Sequence, residues 1–221
     1  MKVYKFIWLS AVVLNMSFAA VALSFDSSVD KLVEQPDGLH KAALASGGTY
    51  HAGGRTPPKY RMNSLEALVR ASPTVVVAAV SNATPELQDQ GRFLRTNCKL
   101  RIIETIKGDF VPTDFLEMPG GTYTFSDGSV VDWVEPVWKT LRTGGTYVLF
   151  LRRWQDEPDH FHVVSAGQGI FEISPDREHL ISYTYIPYPY DSLIDEANAG
   201  TDAFLNKVRS FVTATKLDTL R

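Results

Sequence analysis

The stretch 94–107 constrains this chain most, because its side chains alternate in character. Leu94, Thr96, Cys98, Leu100 and Ile102 occupy one parity, and Arg95, Asn97, Lys99 and Arg101 occupy the other. Successive side chains of a strand point to opposite faces, so the pattern predicts a long strand with one face in a core and the other in water, ended by Gly108-Asp109. Upstream, residues 75–80 are all Val or Ala. That run is too short and too β-branched for a buried helix and suits a central strand covered on both faces.

The rest of the chain supplies more strands than helices. Gly-Gly-Thr-Tyr begins at 47, 120 and 144, but the flanks differ and no period relates the copies. It reads as turn chemistry used three times: glycine accepts positive φ, and Thr-Tyr starts a strand well. Asp127-Gly128 between Thr122-Tyr123-Thr124-Phe125 and Val130-Val131 is a hairpin signal. Residues 146–151 are the most apolar run after the N-terminus, and 161–164, 169–173 and 180–185 are shorter strand candidates. Two helices are expected. Asn63 and Glu66 have capping-box spacing ahead of Leu65, Leu68 and Val69, so a short helix starts near Ser64 and stops at Pro73. Phe204, Leu205, Val208, Phe211 and Val212 recur at three and four, which predicts a C-terminal amphipathic helix capped by Thr201 or Asp202. The expected class is therefore mainly β, an antiparallel barrel or sandwich of OB or netrin-like type. A short helix precedes its first core strand and the amphipathic helix ends it.

Residues 1–22 read as a signal peptide. Lys2 and Lys5 precede an apolar run over 6–23, and Ala20-Val21-Ala22 provides small residues for cleavage after Ala22. Removing this segment takes two Lys and no acids, so the formal charge moves from −3 to −5. An acidic balance of this kind excludes a broad electrostatic nucleic-acid footprint. No membrane span is expected after cleavage, and no Cys follows the apolar run to accept a lipid. Residues 23–60, with Gly38, Gly47-Gly48, Gly53-Gly54 and Pro57-Pro58, read as a poorly ordered or wrapping N-terminal arm, and 61–221 as a single β-rich domain. An exported chain has access to disulfides, yet Cys98 is the one cysteine. Stability must therefore come from the core, and a thiol on the apolar parity of a strand acts as a small hydrophobe with a raised pKa.

A resemblance covers residues 64–171. Ser64-Leu65-Glu66-Ala67-Leu68-Val69, the strand over 75–80, Ile106-Lys107-Gly108-Asp109, Gly145-Thr146-Tyr147-Val148-Leu149-Phe150-Leu151 and Gly167-Gln168-Gly169-Ile170-Phe171 are similar to a group of secreted bacterial proteins of uncharacterised function. Their order of elements resembles the netrin-like, OB-type β-barrels that include metalloproteinase inhibitors. The resemblance implies a barrel. Those inhibitors are disulfide-rich and reach a metal through an N-terminal Cys, which this chain lacks, so it does not imply inhibition.

Candidate functional residues are of three kinds. Tyr183-Thr184-Tyr185-Ile186-Pro187-Tyr188-Pro189-Tyr190 sets four aromatics among two prolines that prevent regular ladder pairing. Tyr183, Tyr185, Tyr188 and Tyr190, with Trp133 and Trp138 as neighbours, suit recognition of a peptide or of sugar rings; the alternative is that the rings fold back over the barrel. His160-Phe161-His162 puts two imidazoles on one strand face, a metal site only if Asp159 or His179 joins them. Arg95, Lys99, Arg101 and Lys107 form a basic strand face that meets an anionic partner or simply protects an edge. No Gly-x-Ser-x-Gly elbow occurs, and Gly167-Gln168-Gly169 lacks the third glycine of a phosphate loop. The expected function is an exported, periplasmic or secreted, non-catalytic binding or accessory module without a cofactor, its partner an envelope or extracellular protein or a glycan. The competing reading is a metal-dependent envelope hydrolase around His160 and His162.

Overall fold

A computed structural model describes residues 27–53, 61–111, 114–135, 139–183 and 192–219. The first of these stretches falls in the N-terminal arm over 23–60, expected from the sequence to be poorly ordered or wrapping. It forms helices α1 (Ser27–Val33) and α2 (Gly38–Ala45) and strand β1 (Thr49–Gly53). Neither helix is long enough to stand alone, and tertiary burial supplies what propensity does not: Leu39, Ala42 and Ala43 are fully buried. The expected short helix is α3 (Leu65–Ala71), but its cap is Ser64, whose hydroxyl accepts the Ala67 N–H at 3.1 Å. Glu66 pairs with Arg70 one turn on, at 3.0 Å.

Strands β2 (Thr74–Gln88) and β3 (Phe93–Lys107) make an antiparallel ribbon, followed by β4 (Phe115–Pro119) and the hairpin β5 (Gly121–Thr124) and β6 (Val130–Val134). Then come β7 (Thr146–Arg153), β8 (His160–Val163), β9 (Ile170–Ile173), β10 (Leu180–Ser182), α4 (Ser192–Asn198) and α5 (Thr201–Thr219). All three Gly-Gly-Thr-Tyr copies open a strand, namely β1, β5 and β7. Strand β4 and helix α4 had no expectation attached to them. Helix α5 begins just after Gly200, whose carbonyl accepts the Phe204 N–H at 3.0 Å, so neither Thr201 nor Asp202 caps it.

The large sheet runs β10-β9-β7-β2-β3-β4-β8, and β7 also pairs with β8, which closes β7-β2-β3-β4-β8 into a five-stranded barrel. Register shifts at Val75/Val76, Val77/Ala78 and Val80/Asn82 bend the β2–β3 ribbon as closure requires. The seam of the barrel is the short parallel pair Phe115↔His160 and Leu116↔Phe161. A separate sheet, β1-β6-β5, packs with α2 over the far end of the ribbon, where Leu39, Leu94 and Val131 form a small core.

Residues 75–80 explain the layering. Val76, Ala78 and Val80 point into the barrel with Cys98, Leu116, Leu149 and Phe161, while Val75 and Val77 point out toward α3, α4 and α5 with Phe150, Phe171 and Phe204. One strand thus serves two cores, so its sequence shows no polar face. Burying each of these side chains contributes about 1.5–3 kcal/mol. Cys98 is fully buried, and burial pushes its thiol up to about 12, which makes it a core side chain. Among the described residues no helix is long and apolar enough to cross a membrane.

Candidate functional site

Where β9 leaves the barrel, a polar network sits at its mouth. The β7–β9 register sets Tyr147 directly opposite Glu172, and the Tyr183 N–H, just past β10, donates to the Ile170 carbonyl at 3.1 Å. Tyr147, Glu172 and Tyr183 are all buried. The two tyrosine rings meet edge to face at 5.4 Å with their hydroxyls 3.2 Å apart. The Tyr147 oxygen accepts the Arg142 backbone N–H at 3.0 Å. The Arg142 Nη2 donates to Glu172 Oε1, so the buried carboxylate is paired. Local sequence permits this arrangement: Gly144 turns the chain at φ +84°, and a β-carbon on Gly145 would collide with the Tyr147 ring.

The electrostatics follow from that geometry. Burial first, then the Tyr147 hydroxyl and the Glu172 carboxylate, hold the Tyr183 phenol well above its ordinary value of 10.0, so it stays neutral. The hydrogen bond to Glu172, then Tyr183, holds Arg142 firmly protonated. Beside the network lies a groove of about 510 Å³ whose walls include Arg142, Glu172 and Arg177, with Val77, Ile103 and Ile173 as apolar lining. Buried polar groups that fix one charged side chain against an apolar groove are a binding-site arrangement. In the sequence, Glu172 is detectable as a lone acid inside the apolar strand Ile170-Phe171-Glu172-Ile173; nothing local marks Arg142.

A second charged cluster lies on the barrel's outer face at the β4–β8 seam. Arg95 Nη1 donates to Glu117 Oε2 at 2.7 Å and lies 3.6 Å from Glu157 Oε2, and Arg95 Nε is 3.5 Å from Glu86 Oε2. His160 Nδ1 is 3.6 Å from Glu117 Oε2 and closer still to Glu157, at angles that form no hydrogen bond. Ligand atoms of Glu117, Glu157 and His160 lie within 4.8 Å of one another. A guanidinium already lies against these carboxylates and offsets part of their charge. His162 is not part of it: its ring lies against Trp154 at 4.2 Å, and burial and then Arg152 lower its pKa. Neither of the anticipated extra ligands arrives, since Asp159 gives its backbone carbonyl to Phe115 and His179 sits with Asp176 and Glu178.

The sequence candidates are thus scattered. Tyr183 belongs to the barrel's cover, with its hydroxyl on Tyr147, and not to an exposed aromatic face. Trp133 is half-buried on β6, edge-on to Phe93 at 5.1 Å, and its Nε1–H donates to Glu135 Oε1 at 2.9 Å. Tyr185, Tyr188, Tyr190 and Trp138 lie outside the described residues. The basic strand face is split: Arg95 is absorbed by the seam and Lys107 Nζ donates to the Val69 carbonyl at 2.7 Å, while Lys99 and Arg101 stay exposed. No protein-family model matches this sequence, and no curated protein matches it either.

Proposed function

We propose that this chain is an exported binding module of the netrin-like, OB-type barrel kind, and that the groove at Arg142 and Glu172 holds its partner. One observation carries the reading: buried tyrosines orient an Arg–Glu pair beside an apolar groove. Such preorganisation lowers the ordering cost of binding. The N-terminal layout of Lys2, Lys5 and Ala20-Val21-Ala22 supports export to the periplasm or beyond. The tyrosine-proline segment leaves Tyr183 at this same mouth, which supports a role for it in the contact.

The test is affinity capture from the host envelope and culture fluid with protein starting at Leu23, beside an Ile103→Asp variant and a Tyr185→Ala/Tyr188→Ala/Tyr190→Ala variant. A partner retained by the parent and lost by folded Ile103→Asp supports the groove. A partner held equally by both proteins moves the contact elsewhere, and unfolding of the triple variant assigns those tyrosines to the barrel's cover. The hydrolase reading now rests on Glu117, Glu157 and His160; stoichiometric zinc or manganese in the purified protein, lost on Glu117→Gln, favours it over a charge staple.

A further inference from the structure

We infer that the groove accepts an acidic peptide segment bearing apolar side chains. This rests on the binding-module reading and adds the chemistry of what is bound. The groove wall holds two cations, Arg142 and Arg177, although the chain as a whole is acidic. Arg142 is 69% exposed, and Glu172, its partner, is a carboxylate already neutralised by it. Most of the Arg142 fork therefore remains for a ligand. Arg177 on the opposite wall is exposed and forms no ion pair among the described residues. Asp176 beside it accepts from the Ser174 hydroxyl and the Glu178 N–H.

The cations continue past the groove. Gly144 N–H donates to the Val80 carbonyl at 2.8 Å and Val80 N–H to the Gly145 carbonyl at 3.0 Å, which fixes the groove wall against β2. On that part of β2, Ala79 pairs with Arg101 and Asn82 with Lys99. Both side chains are exposed and, like Arg177, have no ion-pair partner among the described residues. On the same strand as Arg101 and Lys99, Ile103 is 47% exposed and offers an apolar contact. A volume of about 510 Å³ houses a few side chains, but a ligand that also reaches Arg101 and Lys99 must be extended. Acidic residues answer the arginines, and apolar ones answer Val77, Ile103 and Ile173. Electrostatic complementarity of this kind sets specificity and on-rate.

The test is fluorescence anisotropy with a labelled peptide of alternating Glu and Leu, a Lys-Leu counterpart, and free octanoate as competitor. The expected result is binding of the Glu-Leu peptide alone, weakened by salt. An Arg101→Glu/Arg177→Glu variant, whose changes are exposed, should melt as the parent does and bind about tenfold more weakly or worse. Equal binding of both peptides, or an affinity unmoved by that variant, overturns the inference. Complete displacement by octanoate at low concentration also overturns it, because the groove then serves a small carboxylate. Envelope capture of a partner without Glu-Leu binding leaves the module reading standing and removes this one.

Discussion

The barrel's mouth and its seam each set an arginine against a glutamate, and they differ in whether the arginine is buried. At the mouth the Glu172 side chain is 10% exposed and Arg142 69%; at the seam Arg95 is 13% exposed and Glu117 17%. Burying the carboxylate under two tyrosines leaves a cation facing outward beside a groove. Burying the guanidinium among Glu86, Glu117 and Glu157 ties it to three carboxylates, so no cation faces outward there. The same residue pair leaves its cation exposed at the mouth and covers it at the seam.

The largest test of that contrast is Tyr147→Ala. It removes a fully buried ring from the barrel and should cost about 3–5 kcal/mol in urea unfolding, with Tyr147→Phe costing about 1–3 kcal/mol because Arg142 N–H loses its acceptor. At the seam, Glu117→Gln should cost only about 1 kcal/mol, since Arg95 keeps Glu86 and Glu157 within reach. Equal losses at mouth and seam would erase the distinction.

The subtlest test is pH. Tyr183 has a folded pKa above its unfolded value of 10.0, so its contribution is present below pH 10.0 and is lost as pH rises into the alkaline range. Tyr183→Phe should flatten the alkaline side of the stability profile. His162, on the seam strand, has a folded pKa below its ordinary 6.5, so stability is full above that value and falls as pH drops beneath it. His162→Gln should flatten the acid side. Stability profiles in which each variant alters the opposite limb would show that the two regions titrate otherwise.

The seam also shows how far a motif reads. His160 and His162 share a strand face as their spacing requires, but one ring turns to carboxylates from β4 and the β7–β8 loop and the other to Trp154. Side-chain parity is local, whereas convergence on a point needs neighbours that only the barrel's closure supplies. The N-terminal helices escaped notice for a related reason: each is too short for a periodic signal, and what holds them is the core formed by Leu39 with Leu94 and Val131.

By itself the sequence determined the strands and their faces. Alternation over 94–102 and the two-sided run over 75–80 are local steric and solvation constraints and appear in the barrel as read, while the glycine pairs open β7 in the barrel and β1 and β5 in the separate sheet. The recurrence of Phe204, Val208 and Val212 likewise determined the amphipathic face of α5. Tertiary structure alone decided the site, because Arg142, Tyr147, Glu172 and Tyr183 come from separate elements and meet only through the β7–β9–β10 pairing. A buried carboxylate is tolerable only where that pairing delivers its cation, and pairing between distant strands is not written in any one of them.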